Sequence, residues 1–575
     1  MNRTHPREAP TGADARAPAR SRRRPVRWAV AAAATMGIVT ALVAGLLIAI
    51  GVAGGVPDRD RPSPTAAPEA DPGARYTRPP DWSAYRPAVH LTPAERWMND
   101  PQRPFQLDGV WHYYYLYNAD HPEGNGTEWY HATSTDLVHW REEGVAIEKY
   151  ENGLGDILTG SAVVDTEGTA GFGEDAVVAI VTQQDDGVQR QSLFVSTDGG
   201  YRFEPYDGNP IMENPGELHW RDPKVTWDEA RGEWTMILAE GHRLGFYTSP
   251  DLKHWTWRSA FERDDLGILE CPDLFEMSVD GDPANTRWVL VAGVNGAGRG
   301  MTTGTAYWTG EFDGERFTPD DDEPQWLDRG ADFYATVTWD DPRLDASDRL
   351  ASRYAIGWLN NWAYAGDLPT DDWSGGADSV VRELRLVDDH GRASLRSTPI
   401  AALGELEGES EHLDPVTVAD GAATALPQPD SDAYRLRLTV APDPDEPARE
   451  VRFRVLEGEG AFATVGVDFA SGTVFVARDA DAAASAMPDV YREVRSAPVA
   501  PGPDGTVVLD VVVDRSSVEV FANGGEAALS SLAFGRPDAN GLSVESVGGS
   551  TRVASFELAP LAVAPVERLA DRGAG

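Results

Sequence analysis

One heptapeptide of this chain returns almost unchanged. Ser134-Thr135-Asp136-Leu137-Val138-His139-Trp140 recurs as Ser249-Pro250-Asp251-Leu252-Lys253-His254-Trp255. A degenerate copy, Ser196-Thr197-Asp198-Gly199-Gly200-Tyr201-Arg202-Phe203, lies between them, with the three aspartates 62 and 53 residues apart. A weaker echo follows at Gly310-Glu311-Phe312-Asp313-Gly314-Glu315-Arg316-Phe317. Around these copies run short β-type stretches split by Gly, Asp, Asn and Pro, such as 110–117, 176–182, 234–239 and 288–292. Repeats of that length in an all-β chain indicate propeller blades of about four strands each. Residues 86–404 have room for five blades. Ser-x-Asp turns followed by an aromatic are also ordinary hairpin connectors, but two nearly identical heptapeptides argue for repetition.

Beyond residue 404 the texture changes. Tryptophan, frequent up to Trp373, disappears, and alternating strands such as Tyr434-Arg435-Leu436-Arg437-Leu438-Thr439-Val440 take over. The run 507–513, a turn at Asp514-Arg515-Ser516-Ser517 and the run 518–521 read as a hairpin. Half-buried strands over residues 405–570 predict a β-sandwich that supports the first domain. The expected fold is thus all-β: a five-bladed propeller over 86–404, then the sandwich.

The first 85 residues read differently. A basic tail, 1–27, precedes an uncharged apolar run, 28–56, and a Pro/Ala-rich linker, 57–85. An apolar run of about 20 residues spans a bilayer, whereas the apolar part of a signal peptide is about 7–15. The run is long enough for an uncleaved anchor, with Arg20, Arg22, Arg23, Arg24 and Arg27 staying cytoplasmic and the bulk outside. A long signal peptide cut near Val52-Ala53-Gly54-Gly55 is the alternative; either way the bulk is exported. Net charge is −43, and the first 56 residues contribute +6 (eight Arg against Glu8 and Asp14), leaving −49 on the rest. A surface so acidic repels phosphate backbones, so no nucleic-acid partner is expected. With Cys271 the lone cysteine, neither an intrachain disulfide nor a cysteine zinc site can form.

Three segments each set a carboxylate beside proline: Trp97-Met98-Asn99-Asp100-Pro101, Trp220-Arg221-Asp222-Pro223 and Glu270-Cys271-Pro272-Asp273. Proline donates no ladder hydrogen bond and biases its predecessor to extended geometry, so each acid is expected at a strand end or loop entry. Turn chemistry explains Asp100 as well as catalysis does, and Arg221–Asp222 reads equally as a structural ion pair. Glu270 is a long acid wedged between Leu269 and Cys271-Pro272, where desolvation would raise its pKa. Together Asp100 and Glu270 supply the two carboxylates that glycoside hydrolysis uses. No metal motif or glycine-rich phosphate loop competes, and His112, His131 and His139 read as strand and turn residues.

The three segments, in this order, resemble glycoside hydrolase family 32, the β-fructofuranosidases (invertases, inulinases and levanases). Thr159-Gly160-Ser161-Ala162, Asp332-Phe333-Tyr334-Ala335, Gly357-Trp358-Leu359-Asn360-Asn361-Trp362 and Arg382-Glu383-Leu384 extend the likeness, and 514–525 resembles the family's sandwich. The resemblance implies a five-bladed propeller plus sandwich and no cofactor or metal. It implies Asp100 as nucleophile, Glu270 as acid/base and Asp222 as stabiliser of the transition state. It further implies substrate contacts from Trp97, Asn99, Thr159, Arg221, Asp332 and Trp362, and a fructan or fructo-oligosaccharide as partner. The chain departs from the family's usual pattern at Gln102-Arg103, Leu116, Gly124-Asn125, Leu158 and Thr159. None of these touches the acids, so the expected activity is retaining fructan hydrolysis, with levan ahead of inulin and sucrose. A fructotransferase using a sugar hydroxyl as acceptor is the first alternative. A non-catalytic fructan-binding module is the second, and a propeller enzyme acting on arabinose or xylose polymers is disfavoured by the motifs.

Overall fold

The computed structural model describes residues 84–567 apart from 123–125, 297, 298, 300, 371, 372, 375, 422, 538, 539 and 563–566. The tail 1–27, the apolar run 28–56 and nearly all of the linker 57–85 lie outside the described residues, as do Gly124 and Asn125. Among the described residues no helix exceeds six residues, and none is long and apolar enough to cross a membrane.

Strands pair in chain order in five antiparallel meanders, over residues 96–147, 156–205, 221–262, 269–328 and 334–399. Their first strands are Arg96–Leu107, Asp156–Asp165, Arg221–Asp228, Leu269–Ser278 and Tyr334–Trp339. Each packs against the first strands before and after it, and the fifth packs against the first, so the five line one ring. An apolar layer fills each space between neighbours. Trp129, Ile157 and Phe194 join the first and second meanders, and Leu193, Trp234 and Leu238 the second and third. Phe246, Leu290 and Trp308 join the third and fourth, and Phe275, Val291 and Leu384 the fourth and fifth. A sheet buried on both faces needs no alternation, which is why 176–181 reads Ala-Val-Val-Ala-Ile-Val.

The heptapeptide repeat is the turn from third to fourth strand. Ser134 and Ser249 end third strands. Asp136 Oδ1 accepts the N–H groups of Val138 and His139 at 2.9 and 2.8 Å, and Asp251 Oδ1 those of Lys253 and His254 at 3.0 and 2.9 Å. Asp198 does the same for Tyr201 and Arg202, and Asp313 for Glu315 and Arg316. Four of the five connections thus use one aspartate device. The fifth is a two-residue hairpin at His390-Gly391, both at positive φ. The repeat therefore marks scaffold at the third-to-fourth connection of four meanders, away from the acids.

Two sheets of seven and six strands follow. They enclose a core that includes Leu436, Phe453, Val511 and Phe556, forming the sandwich. Buried charge joins it to the ring: Arg382 donates to Asp328 Oδ2 at 2.9 Å and to Glu519 Oε2 at 2.7 Å. The ring nitrogens of His90 lie 2.8 and 3.0 Å from Asp514 Oδ2 and Glu519 Oε1. Burial alone lowers the His90 pKa, but its hydrogen bonds to Asp514 and Glu519 prevail and raise it to about 9. Glu519, despite its burial, is held at about 2 by Arg382 and His90. His90 therefore stabilises fully below its ordinary 6.5, and this is lost as pH rises toward 9. Glu519 stabilises above its ordinary 4.5, and this is lost as pH falls toward 2. Asp378, raised to about 8 by burial, adds a loss of the same sign that runs from its ordinary 3.8 up to about 8. A His90→Gln variant is accordingly expected to lose melting temperature less steeply than the parent between pH 6.5 and 9. Calorimetry showing equal slopes would remove His90 from the account.

Candidate active site

Each first strand is irregular near its start. Register slips occur at Asn99/Pro101 and Ile157/Gly160, opposite Arg221–Lys224, at Glu270/Asp273 and at Tyr334/Val337. Five bulges therefore face one end of the ring, and a bulge re-aims a side chain out of the ladder. Asp222, Cys271 and Ala335 hold φ of 64°, 46° and 49°, strained values for non-glycine residues that collect at functional sites. The prolines now have a reason. Pro101, Pro223 and Pro272 sit where the ladder is already interrupted and a missing N–H costs little. The acids were expected at strand ends or loop entries; Asp222 and Glu270 lie at strand starts, while Asp100 lies within its strand. Asp100 is the fifth residue of its strand, while Asp222 and Glu270 are each the second.

The bulges converge the acids through shared partners. Asp100 accepts from Thr159 Oγ1 at 2.7 Å and Asn99 Nδ2 at 3.0 Å, and Asn99 in turn accepts from Trp97 Nε1 at 2.9 Å. Gln102 is fully buried; it donates to the Asp100 carbonyl at 2.8 Å and accepts the Gly160 N–H at 2.9 Å. A Cβ at Gly160 would lie 2.2 Å from the Ile180 carbonyl oxygen, so only glycine lets these strands approach. Asp222 accepts the Cys271 N–H at 2.9 Å. The Cys271 sulfur lies 3.9 Å from Asp100 Oδ2 and 3.7 Å from Asp222 Oδ2. Burial pushes the thiol pKa well up, so Cys271 is a neutral spacer between two acids. Arg221 approaches Asp222 only to 4.0 Å. Its main partner is Glu270 Oε1, at 2.5 Å from Nη2 and 3.2 Å from Nε, while Glu270 Oε2 accepts from the Tyr334 hydroxyl.

Desolvation is deepest away from Glu270, whose side chain is 19% exposed. Asp222 is 4% exposed; burial, helped by the charges of Glu270 and Asp100 and opposed by Arg221, raises it to about 7. Burial raises Asp100 as well, against the hydrogen bonds from Thr159 and Asn99. The Arg221 guanidinium thus lies against Glu270 and within 4.0 Å of Asp222, with Asp100 on the far side of the Cys271 sulfur.

Trp97 stacks on Trp362, with ring centroids 6.0 Å apart, and on His121 at 4.7 Å. Trp362, 50% exposed, carries this aromatic wall out to solvent. Asp332 is a correction. It is fully buried, with Oδ2 2.6 Å from Arg478 Nη1 and 2.7 Å from the Leu532 N–H, and Oδ1 taken by the Tyr364 hydroxyl. Both oxygens are engaged by buried partners, Arg478 and Leu532 of the sandwich and Tyr364 of the ring, so the side chain serves the joint between them. Leu116 packs in the layer between the first and second meanders rather than facing the cleft. Arg103 donates to the Val225 carbonyl at 3.2 Å. Residues not singled out as site groups from sequence are Tyr334, Cys271, Gln102 and His219. Tyr334 had a signal, as part of the Asp332-Phe333-Tyr334-Ala335 segment that extends the family likeness. Among the described residues no group of His, Cys, Asp and Glu side chains is arranged to hold a metal.

This set of carboxylates at the head of a β ring defines a glycoside hydrolase, and comparison with known proteins agrees. The model of the glycosyl hydrolases family 32 N-terminal domain matches residues 90–399, and that of the family's C-terminal domain matches 403–560. The chain belongs to glycosyl hydrolase family 32. It is 43% identical over 493 residues to a levanbiose-producing levanase of Bacillus subtilis, covering 85% of this chain and 92% of that one. It is 32% identical over 511 residues to an extracellular exo-inulinase of Aspergillus awamori, covering 81% and 93%. The crystal structure of exo-inulinase from Aspergillus awamori superposes with a TM-score of 0.75 at 30% identity, covering 84% of this chain and 99% of that one.

Proposed function

We propose that this enzyme is an exported, retaining β-fructofuranosidase that hydrolyses fructans, levan ahead of inulin and sucrose. The observation that carries the reading is the convergence of Asp100, Asp222 and Glu270 from three separate bulges around Arg221 and Cys271. The closed ring of five meanders is read as a five-bladed propeller with this site at one mouth. Similarity to a levanbiose-producing levanase supports levan as the substrate. The basic cluster and apolar run 28–56 support export, as a membrane anchor or a cleaved leader.

In this reading a fructosyl unit of the substrate enters against Trp97 and Asn99. The Asp100 carboxylate forms a bond to the anomeric carbon as the glycosidic C–O bond breaks, and Glu270 delivers its proton to the leaving oxygen. Glu270, now a carboxylate, takes a proton from water; the water oxygen bonds to the anomeric carbon and the bond to Asp100 breaks. Two displacements retain configuration, which requires the Asp100 and Glu270 carboxyls about 5–5.5 Å apart. Asp222, whose pKa burial raises above the usual carboxylate range, holds fructose hydroxyls and favours the oxocarbenium-like transition state. The test is to incubate the purified enzyme with levan, inulin and sucrose, follow the reaction by NMR and identify the products. Fructose or a difructose released from levan first as the β-anomer is the expected result. First release as the α-anomer would exclude Asp100 as nucleophile, and longer oligofructose or cyclic difructose would make the enzyme a fructotransferase.

A further inference from the structure

Arg221 has a second anchor outside the carboxylate cluster. Its Nη1 donates to His219 Nδ1 at 2.9 Å and lies 3.5 Å from Gln189 Oε1. A guanidinium N–H only donates, so Nδ1 accepts, which fixes a neutral imidazole with its proton on Nε2. The segment that presents His219 is itself pinned. The Trp220 N–H donates to Gln189 Oε1 at 2.7 Å. Asn214 donates to the Gln189 carbonyl at 2.9 Å and accepts the Gly216 and Glu217 N–H groups at 2.7 and 2.8 Å. The acceptor is thus held in place before any substrate arrives. Without it, Nη1 keeps only the long contact to Gln189 Oε1, and the other edge of the guanidinium keeps Glu270 and Asp222.

We propose that His219 is a positioning residue: its neutral imidazole holds the outer edge of Arg221, so that the guanidinium meets one oxygen of Glu270 and leaves the other to Tyr334. This deepens the proposed hydrolytic function and rests on Glu270 being its acid/base. The charged and titratable groups facing His219 are Arg221, Glu270 and His242, the last with Nδ1 2.8 Å from the Gly267 carbonyl oxygen. Protonating His219 removes the acceptor and sets a cation against Arg221. Burial, then Arg221 and His242, lower its pKa below the ordinary 6.5 against Glu270, so the protein keeps the imidazole neutral into mildly acid conditions.

The test compares His219→Leu, which removes the acceptor, with His219→Asn, whose side-chain oxygen reaches the Nδ1 position without titrating. His219→Leu is expected to lower kcat on levan roughly 10²-fold, as a misplaced catalytic group does, with KM nearly unchanged. His219→Asn is expected to restore kcat to within about threefold of the parent and to extend activity to lower pH. Melting temperatures of both variants establish that they fold. A Leu variant with parental kcat and pH profile overturns the proposal, as does a folded Asn variant as impaired as the Leu one. A readout independent of turnover is ¹⁵N NMR of histidine-labelled parent enzyme, with His219 assigned by its loss in the variants. An Nε2–H tautomer at neutral pH is expected, and an Nδ1–H tautomer or an imidazolium overturns the proposal. If the parent enzyme cleaves no fructan, the hydrolytic reading has failed, while the tautomer still judges the Arg221–His219 contact by itself.

Discussion

Asp100→Ala is expected to lose at least about 10⁴-fold in kcat on levan while still folding, because no other group can take over bond formation to the anomeric carbon. The hydrogen bonds lost are those from Thr159 and Asn99, both neutral donors beside a cleft. Removing the carboxylate also relieves like-charge repulsion on Asp222, so folding should not suffer and Asp222 should titrate lower than about 7. Azide fits the vacated space and would attack directly, giving fructosyl azide of inverted configuration. Glu270→Ala should differ in kind. Its loss of about 10²–10⁴-fold should shrink on fructosides whose leaving group needs no proton. Equal losses on good and poor leaving groups in the Glu270 variant would refute the acid/base assignment. Full turnover by the Asp100 variant would refute the nucleophile.

The second large effect concerns the joint between ring and sandwich. Arg478→Met leaves Asp332 buried beside Tyr364 and the Leu532 N–H without its countercharge. Breaking one side of a buried ion pair costs about 3–5 kcal/mol, far more than a surface pair. Asp332→Leu combined with Arg478→Met removes both charges and should recover much of that loss. The measurement is the rate of thermal inactivation, since a chain of this size rarely unfolds reversibly. Kinetics separate the roles that sequence and structure give Asp332. Asp332→Asn should shorten the half-life of activity while leaving KM for levan within about twofold, because surplus binding contacts act on KM. A large rise in KM with unchanged inactivation would return Asp332 to the substrate.

Legibility in the sequence followed the range of the interactions. The aspartate turns are local: Asp136 and Asp251 bond groups two and three residues ahead, so the repeat showed in the sequence and pointed to repeated sheets. Sandwich strands such as Glu450–Gly458 showed because one face is partly exposed and alternation survives, whereas Ser517–Ala522 and Ala527–Leu532 are buried on both faces. The acids stood out through their prolines, but their placement inside bulges did not, because a bulge is a mismatch between two strands and only one of them contains the acid. Tyr334 and Asp332 lie two residues apart in one motif, yet one hydroxyl reaches Glu270 and the other side chain reaches Arg478, 146 residues away. Nothing local distinguishes them. The same holds for Leu116, whose departure from the family pattern is a change in the core.

By itself, the sequence determined the all-β class, the order of two domains and the family, and it singled out three candidate acids, because each rests on patterns within a few residues or on a motif. Tertiary structure alone decided which partners the acids acquired. Arg221 was written next to Asp222 but holds Glu270 and leans on His219, since bulged strands from two meanders meet where the chain does not. Burial then set Asp222 near 7 rather than in the usual carboxylate range. Desolvation and charge act through space, over distances that only the closed ring fixes.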